Sequence, residues 1–94
     1  MILSIGEILA DMIGEDQNGV TAFKMYGGGA PFNVAVNAKN AGAKAGFIGR
    51  VGRDPVGKFL KGFAAGAGLD FCGIQEDETR NTTLAFVTLK GGER

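Results

Sequence analysis

The 94-residue chain has no histidine, one cysteine, two prolines and no net charge, with ten basic residues against ten acidic. Lacking histidine, it lacks the commonest ligand of a transition-metal site, so no metal-binding residue is assigned. A lone Cys72 excludes an internal disulfide and fits a reducing, cytoplasmic setting. No basic residue flanks that thiol to activate it, so it reads as packing. The basic residues Lys24, Lys39, Lys44, Arg50, Arg53, Lys58 and Lys61 are scattered and not interleaved with aromatics. That pattern gives no nucleic-acid or membrane-surface footprint. The opening Met1-Ile2-Leu3-Ser4-Ile5 has no basic lead and soon meets Glu7 and Asp11. It is expected to be neither a signal peptide nor a membrane span.

Glycine, by contrast, is abundant: seventeen residues, more than twice the usual share of about 7%. The glycines do not form a low-complexity repeat. They sit at the ends of apolar runs and read as tight turns of a folded chain. A chain of this length makes at most one small domain, burying roughly 60–65% of its unfolded surface.

Ile2 to Gly6 is a short apolar run closed by glycine, the pattern of a buried parallel strand. A short edge strand is expected near Ala10–Ile13, then a polar turn cluster from Gly14 to Gly19, then an extended run from Val20 to Tyr26. Asn18-Gly19 supplies hairpin turn chemistry between them. Pro31 to Ala41 reads as a helix. Its residues Phe32, Ala35, Val36 and Ala38 face a sheet, and Gly42 stops it. Lys44 to Val51 is the next strand, with Ala45, Phe47 and Ile48 buried. A second helix starts at the Asp54 cap and Pro55 and buries a stripe from Val56 through Ala67, ending at Gly66 or Gly68. Phe71–Ile74 is a brief strand, Gln75–Asn81 a polar connection, and Thr82–Leu89 a strand. Gly91-Gly92-Glu93-Arg94 reads as a turn. This order predicts an α/β layered sheet with extra antiparallel strands, and two helices are too few to cover both faces of it.

The stretch Gly27-Gly28-Gly29-Ala30-Pro31-Phe32-Asn33 stands at the centre. A Walker loop needs Gly-Lys-Ser/Thr after its spacer, and a Rossmann fingerprint needs a third glycine where Phe32 stands. Neither nucleotide motif fits. A glycine-rich turn serving only chain geometry, or a hinge beside which the Asn33 amide holds hydroxyls, both remain open.

Gly28 to Ala35, with Gly42 and Gly52 beyond it, resembles the signature of the PfkB (ribokinase-like) carbohydrate kinases. The likeness includes Gly6-Glu7 followed by Asp11, the run Gly49–Gly57, and Thr82–Val87, so it covers essentially the whole chain. It implies the N-terminal part of a three-layer α/β/α fold, with β-lid strands within 12–26 and 71–90. It also implies that Asp11 grips sugar hydroxyls, that Gly28 and Gly29 form a hinge meeting the sugar, and that Asn33 completes the contacts. Each has a plainer reading: Asp11 as a solvated turn residue, Asn33 as a helix-start amide. Asn37 and Asn40 are read as surface amides and Asp54 as a cap.

Within that family Gly-Gly-Ala-Pro-x-Asn and Thr-Thr-Leu-Ala-Phe-Val look most like fructokinases. Ribokinase, 2-keto-3-deoxygluconate kinase, a nucleoside kinase and a non-catalytic sugar-binding or dimerisation module are the other readings. The resemblance implies a small-molecule sugar as partner, ATP and Mg²⁺ for the parent enzyme, and a catalytic C-terminal half outside these residues. No residue here is therefore expected to be catalytic or to bind a cofactor, and the piece alone is expected to be inactive. A homodimer through the lid or exposed sheet edges is the remaining partner; neither nucleic acid nor membrane is expected.

Overall fold

Both prolines open helices, as their sequence positions predict. In the computed structural model, which describes residues 1–89, helix α1 spans Ala30–Asn40 and helix α2 spans Pro55–Ala65. The expected turn at 91–94 and the last residue of the 71–90 range lie outside the described residues. α1 begins at Ala30, one residue before Pro31, because Gly29 is its N-cap. Asp54 caps α2 with its side chain, and Gly66 ends it in ordinary right-handed geometry.

Strands β1 (Ile2–Ile5), β4 (Ala45–Gly52) and β5 (Phe71–Asp77) form a parallel sheet in the order β1-β4-β5. Both helices lie on one face. The Ser4 hydroxyl donates to the Pro31 carbonyl at 2.6 Å, and Phe32 of α1 meets Phe47 of β4 edge-to-face at 5.3 Å. Phe32, Phe47, Leu60, Ala35 and Ala64 are buried between these layers. The other face carries Leu3, Ile5 and Phe71, all exposed. The expectation that β1 is buried is therefore corrected. Among the described residues it is an edge strand, and its outer face has no covering layer. Ile48 is only half-buried for the same reason.

A second sheet has the order β3-β2-β6, from β2 (Leu9–Gln17), β3 (Val20–Gly28) and β6 (Leu84–Leu89). β2 and β3 are an antiparallel hairpin closed at Asn18 and Gly19, whose φ of 54° and 81° are those of a type I′ turn. β2 is neither short nor an edge: the polar residues Gly14 to Gln17 pair with Val20 to Phe23, and β6 adds on its other side in parallel.

A correction also applies to β5. The resemblance implies that this strand, within 71–90, belongs to the lid. It is instead bonded to β4, from Gly46↔Phe71 to Gly52↔Asp77. Its polar end is tolerated because Arg50 and Gln75 hydrogen-bond across the strands at 3.1 Å and Lys61 reaches Glu76 at 3.0 Å. The radius of gyration, 14.5 Å, exceeds the about 13 Å of a compact 100-residue domain. The excess reflects the second sheet projecting from the first.

Candidate functional site

The two sheets are joined where the glycine run leaves β3 for α1. Gly29 has a φ of 105°, which a side chain rarely adopts, and a Cβ there would lie 2.8 Å from the Glu7 carbonyl. Gly6, on the neighbouring connection, lies so close to Pro31 that a Cβ would stand 2.8 Å from the proline ring. The chain segments leaving β1 and β3 are thus packed together at one joint.

Gly28 is buried and its φ is not positive. It is glycine for a different reason: the space a Cβ would fill is taken by the Asp11 carboxylate, a group on the adjacent strand β2. Asp11 is half-buried and shares its sheet face with Tyr26, its cross-strand partner, which is exposed. Gly27 faces the opposite way, towards the Phe63 ring of α2.

Asn33 lies in the first turn of α1, its backbone N–H donating to the Gly29 carbonyl at 2.9 Å. Its side chain is exposed. With Gly27, Phe32, Val36, Phe63 and Ala67 it lines an open cavity of about 500 Å³. The structure therefore brings Asp11 and Gly28 into contact. It sets Asn33 one helical turn beyond Gly29, lining a cavity with Gly27. Asn37 and Asn40 are exposed.

Asp54 caps α2, its Oδ1 accepting from the Gly57 N–H at 2.6 Å. The sequence did not reveal its second role. Its Oδ2 accepts from the Thr82 N–H at 2.9 Å and its Oδ1 from the Thr82 hydroxyl at 2.7 Å. The Thr82 hydroxyl in turn accepts from the Gly52 N–H at 2.9 Å. These donors, Thr82 first, hold the Asp54 carboxyl below the usual carboxylate range. Only an unusually buried threonine 28 residues away signals this role, and that is not visible in sequence.

Next to it, a polar cavity of about 490 Å³ is lined by Arg50, Asp77, Arg80, Asn81 and Thr83 among others. The reading of Cys72 as a packing residue is corrected: it is an exposed free thiol on β5, an edge strand among the described residues, and partial desolvation pushes its pKa up. Among the described residues no group of three or more His, Cys, Asp or Glu could hold a metal ion, and no helix is long and apolar enough to cross a membrane.

A parallel sheet under one helical layer, joined through glycine turns to a small second sheet, is the chain trace of ribokinase-like kinases. Residues 1–94 match the pfkB family of carbohydrate kinases, and the chain belongs to it. It is 39% identical over 100 residues to a fructokinase of Solanum tuberosum, covering all of this chain and 31% of that protein. The crystal structure of a fructokinase from Xylella fastidiosa with bound ATP is similar with a TM-score of 0.81 and 41% identity, over 98% of this chain and 30% of that one. An uncharacterised sugar kinase from Pyrococcus horikoshii gives 0.79 and 40% over 97% of this chain and 32% of that one. The chain thus spans about a third of the length of the relatives it matches.

Proposed function

We propose that this chain supplies the sugar-binding part of an ATP-dependent carbohydrate kinase. The parent would pass the γ-phosphoryl of ATP to a hydroxyl of fructose. The observation that carries this reading is the Asp11 carboxylate seated against Gly28 at the joint that leads into the helix bearing Asn33. A carboxylate accepts from two vicinal hydroxyls, an amide both donates and accepts, and a glycine floor admits a polyol closely. Relatives named fructokinase at 39% and 41% identity favour fructose over ribose, 2-keto-3-deoxygluconate or a nucleoside.

The second sheet, hung on glycine joints, would act as the lid. Its exposed Phe23 and Phe86 rings, 5.5 Å apart, offer a face for a second copy. The free Cys72 suits a reducing, cytoplasmic compartment. On the family resemblance, ATP and Mg²⁺ are assigned to the remainder of the parent and no residue here is given a catalytic role; relatives crystallised with ATP support its use by the parent.

The test uses full-length protein with a panel of fructose, ribose, 2-keto-3-deoxygluconate and adenosine. Asp11→Ala and Asn33→Ala should each weaken sugar affinity by about 1–3 kcal/mol, the cost of leaving polar groups unpaired. The 94-residue chain alone should turn over no ATP. Unchanged Michaelis constants for the sugar in both variants, or turnover by the pure piece, would refute the assignment. A strict monomer by light scattering would remove the second copy.

A further inference from the structure

We propose that Asp54 is a positioning residue for Asp11, acting through Thr82 and strand β6. Among the described residues three connections link the two sheets: residues 6–8, the Gly28–Gly29 step that leads through α1, and residues 78–83. The first two contain glycines of positive φ, Gly6 and Gly29. The third contains no glycine and is instead pinned by two carboxylates. Asp77 Oδ1 accepts from the Thr79 N–H at 2.9 Å, the Thr79 hydroxyl at 3.0 Å and the Arg80 N–H at 3.1 Å. Asp54 takes both donors of Thr82. Two connections are therefore glycine joints, and the third is a fixed point.

That point is over-determined. Thr82 is 8% exposed, and its hydroxyl bridges Asp54 to the Gly52 N–H at the end of β4. A Cβ on Gly52 would stand 2.6 Å from the Arg80 carbonyl, the Thr82 nitrogen and Asp54 Oδ2 alike. One carboxylate thereby ties together the end of β4, the start of α2 and the connection that leads into β6. From Thr82 the ladder to Asp11 is short. The Thr83 carbonyl accepts from the Ala10 N–H at 3.0 Å, and Ala85 is the register partner of Asp11. A strand advances about 3.3 Å per residue, so a shift at Thr82 reaches the backbone of Asp11 within three residues and one hydrogen-bonded pairing.

The plainer role, a helix cap and nothing more, makes a different forecast. Serine caps a helix as well as aspartate does but is too short to hold Thr82. Thr82→Val keeps the side-chain shape and leaves the α2 cap untouched. The consequence for the sugar rests on the proposed role of Asp11, so the test has two separate readouts in the full-length kinase. The first is amide hydrogen exchange. Thr82→Val and Asp54→Ser should speed exchange across 82–87 and 9–13 while residues 57–61 stay protected, and Thr82→Ser should restore the parent pattern. The second is kinetic: both variants should raise the sugar KM about five- to tenfold, the scale of losing one ordinary hydrogen bond, with the ATP KM unchanged. Parent-like exchange in β2 and β6 of Thr82→Val would overturn the positioning role. Faster exchange with an unchanged sugar KM would leave the link to Asp54 standing and overturn the role of Asp11 in binding.

Discussion

The Asp11 carboxylate fills the space in front of Gly28 that a Cβ at that position would need. Gly29, one residue on, is constrained instead by its φ of 105° and by the Glu7 carbonyl at 2.8 Å from its would-be Cβ. The two glycines of one motif are thus held by different forces, a movable side chain in one case and fixed backbone in the other.

Alanine substitutions should separate them. In Gly28→Ala the Asp11 side chain can swing aside, at a cost of about 0.5–1.5 kcal/mol in rotamer strain. The fold should survive while sugar binding falls. In Gly29→Ala the backbone itself must move, at about 1–3 kcal/mol, so stability should fall first. Urea midpoints and the sugar KM of full-length protein check this; equal losses in both midpoints would contradict the distinction.

The elements that proved readable are those encoded locally. Asn18-Gly19 specifies its turn, and Asp54-Pro55 opens α2 from adjacent residues alone. The strands that the sequence does not delimit depend on partners far away. Residues 75–77 look like a polar connection until Arg50, Val51 and Gly52 are placed beside them. Gly14 to Gln17 look like a turn until Val20 to Phe23 fold back on them. In the candidate site, the family resemblance proposes Asp11 and Gly28 separately, but their direct contact depends on β2–β3 register and is not legible in the sequence. The Asp54–Thr82 bond was invisible for the same reason.

Leu60 is fully buried beneath the sheet, in one core with Phe32 and Phe47, whereas Phe63, one turn later, is 39% exposed. Leu60→Ala should therefore cost about 2–5 kcal/mol through lost burial and a residual cavity. Against a total of roughly 5–15 kcal/mol for a typical domain, that is a large share for so small a core. Phe63→Ala should cost less, because much of its ring is already in water. Thermal melts of the two variants give the order, and a greater loss in Phe63→Ala would show the core to be placed differently.

Stability should be flat from pH 7 to about 5 and fall below about 4. No histidine is present to titrate in the upper range. Four carboxyls are held low in the folded chain: Asp54 by Thr82, Asp77 by Thr79, Asp70 by Lys39 and Glu76 by Lys61. Each folded pKa lies below its unfolded value, so below about pH 4 the unfolded chain binds more protons. The stabilisation is complete above the unfolded values and disappears as pH drops through the folded ones. Salt should divide the four. The Lys39–Asp70 and Lys61–Glu76 pairs are partly exposed ion pairs and should be screened. Asp54 is held by amide and hydroxyl donors, which salt affects little. Urea midpoints of the wild type and Asp54→Asn between pH 7 and 3, at low and high salt, test both points. The variant should show a shallower acid slope, and the difference should persist in high salt. Parallel slopes for the two proteins would show that Asp54 contributes nothing to the acid dependence.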